Sequence, residues 1–140
     1  MDRKNCRLRI PVKVSPGFQV AVVKSDLRGF TSLPEAASTV VRTTHSISAK
    51  ANGLEKDLDK KPFVRVTTFA GPMDEEIYIG QHIEKEETWS PCGSSFSLNV
   101  GTVVTVTNGK SPDLAMAIVD SLDLQSEDKA MKYHLNWRRC

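Results

Sequence analysis

A chain of 140 residues is one domain's worth of polypeptide, long enough to bury a core of its own. Its 39% hydrophobic and 26% charged residues are those of a soluble globular protein, and a formal net charge of +2 is too small to point to nucleic acid by itself. No apolar run approaches the roughly 20 residues of a membrane helix, which leaves no membrane span to expect.

The dominant period along the chain is two. Cys6, Leu8, Ile10, Val12 and Val14 fall on one face, with Arg7, Arg9 and Lys13 on the other, which predicts a half-buried strand. Ser15-Pro16-Gly17 is a turn. A second strand opens at Phe18, Val20 and Val22 and runs to about Leu27, where Gly29 is expected to break it. Leu33 to Ala37 is a possible helical turn. Thr39 to Ala49 is rich in β-branched residues, and Val41, Thr43, His45, Ile47 and Ala49 share a face. Asn52-Gly53 and the charged stretch Glu55 to Lys61 read as a polar loop. Phe63 to Phe69 is a strand stopped by Gly71-Pro72, and Ile77, Ile79, Gln81 and Ile83 line one side of the next.

Phe96, Leu98, Val100, Thr102, Val104 and Val106 form the longest alternation in the chain, and Asn108-Gly109 after it reads as a tight hairpin turn. Ser111-Pro112-Asp113 followed by Leu114, Ala117 and Ile118 has the look of a capped helix start, yet it sits between strands, and a strand is expected over Ser111 to Leu122 with a short helix as the alternative. Tyr133, Leu135 and Trp137 share one face of a last strand. Seven or eight strands with turn signals at short intervals predict a single all-β domain over 1–140, an antiparallel β-sandwich of immunoglobulin-like or jelly-roll-like type.

The charges are uneven. Arg3, Lys4, Arg7, Arg9 and Lys13 make a basic start, while Asp74, Glu75, Glu76, Glu84, Glu86 and Glu87 make an acidic middle. Solvated strand faces explain both; a polar docking surface is the functional alternative.

Three cysteines are an odd number. In an exported protein they imply a free thiol or an absent partner, and in a reducing compartment all three could stay reduced. The spacing of Cys6, Cys92 and Cys140 matches no zinc pattern. Cys140 closes the sequence, and a bond from it to Cys92 would clamp the last strand onto the core. Disulfide use fits Cys92 better than a nucleophilic role, which needs a histidine base and a depressed pKa.

Little else points to chemistry. His45, His82 and His134 lack the spacing that brings metal ligands together, so no metal is expected. No Gly-x-Ser-x-Gly elbow and no cofactor fingerprint are present, and neither catalytic residues nor a cofactor are expected. Glu84, Glu86, Asp120 and Asp123 are carboxylates that a glycoside hydrolase could pair. Trp89 and Trp137 each stand three residues before a cysteine. They suit packing on a disulfide, as tryptophans of sandwiches do, or stacking on a sugar ring or another planar ligand.

In order along the chain stand Arg3-Lys4-Asn5-Cys6, Pro16-Gly17-Phe18-Gln19, Phe69-Ala70-Gly71-Pro72, Trp89-Ser90-Pro91-Cys92-Gly93, Leu98-Asn99 and Tyr133-His134-Leu135-Asn136-Trp137-Arg138-Arg139-Cys140. In these the chain resembles a secreted family, abundant in filamentous fungi and known only as domain of unknown function 4360. The resemblance covers nearly the whole chain. It implies an exported protein with four cysteines, of which three match here, and it agrees with a Cys92–Cys140 link. It implies that Cys6 is left unpaired, because family members carry a signal peptide and a further cysteine ahead of the Arg-Lys-Asn-Cys motif. The start of this chain, Met-Asp-Arg-Lys-Asn-Cys, has no apolar stretch and does not read as a signal peptide. The chain is therefore expected to be the C-terminal part of a longer family domain, with a sheet edge uncovered and open to pairing with a second copy. The expected function is that of a non-enzymatic extracellular module binding a polysaccharide or a surface protein, with a small secreted glycoside hydrolase as the alternative.

Overall fold

In a computed structural model of the protein, residues 2–51, 53–58, 62–82, 89–109, 114–119 and 131–140 are described, with the backbone alone at Ala51, Gln81, His82, Ile118, Val119, Met131 and Lys132. These residues form nine strands: β1 (Asp2–Val12), β2 (Phe18–Leu33), β3 (Ser38–Ala51), β4 (Leu54–Asp57), β5 (Phe63–Ala70), β6 (Met73–His82), β7 (Phe96–Thr107), β8 (Met116–Val119) and β9 (Met131–Arg139). All pair antiparallel, in two sheets packed face to face as a β-sandwich. One sheet runs β1-β7-β3, with β5 and β4 following one another along the far edge of β3. The other runs β6-β2, with β9 and β8 following one another along the far edge of β2.

The alternation that predicts β7 is realised. Phe96, Leu98, Val100 and Thr102 are buried while Ser97, Asn99 and Gly101 face outward, and β7 is paired on both edges. Four expectations change. Gly29 does not end β2, which runs on to Leu33 over 16 residues. Gly29 is paired with Ile77 on one side and Val119 on the other, and two ladders outweigh the weak strand preference of one glycine. Residues 54–57, read as loop, form β4. It is a short, exposed, charged edge strand, and its composition hides it from a hydrophobic pattern. Of the segment 33–37, Leu33 ends β2 and residues 34–37 form a turn in which Ala36 takes φ 64°, and no helix occurs among the described residues. Asn108-Gly109 does not close a hairpin, because β8 pairs with β2 in the opposite sheet. Of the segment 111–122, Met116–Val119 is strand, while 111–113 and 120–122 lie outside the described residues.

β1 also departs from a half-buried strand. Ile10 and Val12 pack on the core, whereas Cys6 is an exposed free thiol and Leu8 is 39% exposed. Among the described residues nothing pairs with its outer edge.

At one end of the sandwich the chain crosses between sheets three times, at residues 34–37, 71–72 and 108–109. These crossings lie against one another. Gly71 N–H donates to Ala37 O at 2.9 Å, and a Cβ on Gly71 would stand 2.0 Å from Pro34 O. The peptide bond Gly71-Pro72 is cis. Gly71→Ala must push backbone against backbone, and we expect it to lower stability by about 2–3 kcal/mol. Urea unfolding measures this, and a loss below about 0.5 kcal/mol would contradict the contact.

The core has two apolar clusters. Val14, Val20, Val22, Ile47, Phe96, Leu98 and Val100 form the larger, and Leu27, Val41 and Ile79 the smaller. Between them in the strand registers lies a polar waist of Ser25, Thr43, His45 and Thr102, with Tyr133 alongside. His45 Nε2 lies 3.2 Å from Tyr133 OH, with the two rings edge to face, while His45 Nδ1 and Ser25 Oγ are buried without a hydrogen-bond partner among the described residues.

Candidate functional site

The four-stranded sheet presents its outer face without a covering layer among the described residues. At the end opposite the three crossings, residues 89–90 continue the line of β6 along β2. Trp89 bridges Ala21, Ser90 N–H donates to Val20 O at 2.8 Å, and Val20 N–H donates to Ser90 Oγ at 2.9 Å. On the other edge Arg138 of β9 stands opposite Gln19. Gln19 is held from both sides, because its Nε2 donates to Ser90 O at 3.1 Å while its Oε1 accepts from Arg138 Nε at 2.9 Å. The bond aims the guanidinium, whose carbon sits 4.0 Å from the Trp89 ring centroid. Ala21 lies between them on the outward row and is fully buried.

The segment is tied down on its far side. Cys92 and Cys140 are bridged with a Cα–Cα distance of 5.9 Å. Gly93 N–H donates to Phe18 O at 2.8 Å, and Cys140 N–H to Gly17 O at 3.0 Å. Gly93 takes φ 63°, a left-handed turn that glycine adopts at no steric cost.

Further along the same face, Asp26 gathers groups from three strands. Tyr78 OH donates to Oδ1 at 2.6 Å, His134 Nε2 lies 2.9 Å from Oδ2, and Lys24 Nζ stands 3.8 Å from Oδ1. The Tyr78 hydrogen bond, and after it that of His134, holds the Asp26 carboxyl below the usual carboxylate range, while the same bond raises the Tyr78 phenol. Asp26 is thus an anion with its lone pairs engaged, and Tyr78 keeps its proton. To reach Asp26 the Tyr78 ring lies over Gly80, where a Cβ would stand 3.0 Å from ring Cε1. The result is an aromatic ring laid along the sheet, 55% exposed, with a fixed carboxylate and imidazole at its edge.

The two tryptophans singled out in the sequence do not make one platform. Trp89 belongs to the outward row of Ala21, whereas Trp137 stands opposite the inward Val20 at the rim of the core and is 52% exposed. His45 is buried in the waist, and His134 joins Asp26. Glu84, Glu86, Asp120 and Asp123 lie outside the described residues. Among the described residues no group of His, Cys, Asp and Glu is placed to hold a metal ion, and no helix is long and apolar enough to cross a membrane. Tyr78, Asp26, Gln19 and Arg138 escape the sequence reading. A glycine two residues after a tyrosine in an alternating strand is the one local signal for the laid-down ring.

The sequence model of a family described as "Domain of unknown function (DUF4360)" matches residues 1–140. A curated protein of the fungus Arthroderma benhamiae, described as an uncharacterized secreted protein, is 26% identical over 140 residues, covering 99% of this chain and 52% of that protein. The chain thus spans about half the length of this relative.

Proposed function

The chain belongs to this family, domain of unknown function DUF4360, and we propose that it is a non-enzymatic extracellular binding module that grips a wall polysaccharide on the outer face of its four-stranded sheet. The secreted relative and the Cys92–Cys140 bridge support an extracellular setting by resemblance and by redox chemistry. The observation that carries the reading is the Tyr78 ring, exposed and held along the sheet by Gly80 beneath it and Asp26 at its hydroxyl. A sugar offers an apolar face of axial C–H groups to such a ring and hydroxyls to the groups at its edge. Lys24 is a donor for those hydroxyls, the imidazole of His134, whose Nε2 is engaged by Asp26, offers its Nδ1 to them as an acceptor, and the Trp89–Arg138 stack extends the surface toward the disulfide end. A site fixed before the ligand arrives loses little conformational entropy on binding.

Pull-down on insoluble chitin and on insoluble β-glucan tests this. Wild type is expected to bind at least one, and Tyr78→Ala to weaken binding about tenfold, equal to about 1.4 kcal/mol. Trp89→Ala is expected to weaken it less, because Arg138 covers one face of that ring. Wild type left unbound by both, or Tyr78→Ala binding as well as wild type with an unchanged melting temperature, would overturn the proposal.

A further inference from the structure

The opposite face of the sandwich carries a second and chemically different feature. Strands β1, β7 and β3 enclose an open groove of about 490 Å³, lined by Arg3, Arg7, Arg9 and Arg42 with Asn5, Asn99, Thr44 and Ser46, and by Leu8, Val100, Gly101 and Val103. The strand registers place these side chains. Arg7, Gly101 and Thr44 stand in line across the three strands, as do Asn5, Val103 and Arg42. Arg9 is paired with Glu55 of β4, and this pair closes one end. Arg3, Arg7 and Arg42 have no carboxylate partner among the described residues. These guanidinium groups concentrate positive charge on one sheet face, which favours an anionic ligand.

Gly101 at the centre is an independent observation. It lies on the outward row of the longest alternation in the chain, and a glycine inside a strand weakens it. Nothing in the fold requires it, because a Cβ there would meet a single heavy atom within 4 Å, Thr44 Cβ at 3.8 Å, an ordinary contact. Glycine in a strand interior often marks a place where a ligand approaches the backbone, and here it forms the floor of the groove between Arg7 and Thr44.

We propose that this groove binds an anionic polysaccharide, with Arg3, Arg7 and Arg42 receiving its carboxylate or sulfate groups and the asparagine and hydroxyl side chains receiving its sugar hydroxyls. Arginine's planar fork matches both anions bidentately. Strand geometry sets Arg7 about 13 Å from Arg3 along β1 and about 10–12 Å from Arg42 across β7, so the site suits charges carried singly at intervals along a chain rather than one compact anion. The amides and hydroxyls between the arginines match an uncharged backbone rich in hydroxyls. No aromatic ring lines the groove, so the stacking platform that single-stranded nucleic acids use is absent from its described lining. A second copy of this chain would bring its own β1 arginines against these.

Affinity electrophoresis through gels containing polygalacturonate, dextran sulfate, neutral dextran or single-stranded DNA tests the proposal. Wild type is expected to be retarded by polygalacturonate or dextran sulfate, more than by DNA at equal charge concentration, and not by neutral dextran. Retardation by the carboxylated polymer over the sulfated one, or the reverse, identifies the anion. Arg7→Glu is expected to weaken binding about tenfold or more, whereas Lys13→Glu, an equal reversal outside the groove, should change it less than about twofold. Gly101→Val is expected to fill the groove and weaken binding about tenfold with no fall in melting temperature, since valine suits a strand. Absence of retardation by both acidic polysaccharides, stronger retardation by DNA, or equal losses in the Lys13→Glu and groove variants would overturn the proposal. Tyr78→Ala should leave this binding unchanged, which separates it from the site on the other face.

Discussion

Removing the Cys92–Cys140 bridge, by reductant or by Cys92→Ala with Cys140→Ala, is expected to lower folding stability by about 4 kcal/mol. The cysteines are separated by 48 residues in sequence, and the chain-entropy model gives about that value for a loop of this length. A typical domain is stable by about 5–15 kcal/mol, so the loss is a large share of the whole. The bond also joins the two segments that carry Trp89 and Arg138, and without it the backbone hydrogen bonds of Ser90, Gly93 and Cys140 hold those segments alone. Urea unfolding with and without reductant measures the effect. A loss below about 1 kcal/mol would mean that the hydrogen bonds and the Arg138–Trp89 stack suffice.

Acid should destabilise the protein before its carboxylates titrate. Burial pushes the His45 imidazole down to about 4 from an ordinary 6.5, because charging it inside the waist costs solvation. The folded state therefore binds fewer protons than the unfolded state between these two values. Stability from the neutral imidazole is fully present above pH 6.5 and is lost as pH falls toward 4. The loss is about 3 kcal/mol between pH 7 and pH 4. His45→Gln keeps a polar partner for Tyr133 but cannot titrate, and its stability should be flatter over that window. If the variant loses as much as wild type between pH 7 and pH 4.5, His45 is not the responsible group. Asp26, whose carboxyl is held low by Tyr78 and His134, adds a further loss only at lower pH.

The fold class was legible because alternation reports pairing and sidedness together. Phe96 to Val106 reads as one strand and is one. What alternation does not report is whether a second layer covers the apolar row. Cys6 and Leu8 obey the pattern of Ile10 and Val12, yet Cys6 is exposed and Leu8 is 39% exposed. Charged edge strands are invisible to the same test. β4 announces itself instead by the Asn-Gly pair at 52–53, whose Gly53 takes φ 78°, a turn signal available in the sequence. The site was less legible. Trp89 and Trp137 hold equivalent places before their cysteines, but which face each occupies depends on its partner in β2, Ala21 for one and Val20 for the other. The irregular register between Val22 and Lys24 adds a change of parity that no local pattern encodes. Asp26 meets Tyr78 and His134 across 52 and 108 residues of sequence, a constellation without a motif.

The central claim is that a ligand lies on the Tyr78–Asp26–His134 and Trp89–Arg138 face. An amide and indole NMR titration with soluble chito- and gluco-oligosaccharides tests it most directly. Shift changes confined to Tyr78, Gly80, Asp26, His134 and the Trp89 indole are the predicted result. Saturating sugars that move no resonance on that face, or that move only those of the β1-β7-β3 face, would contradict it.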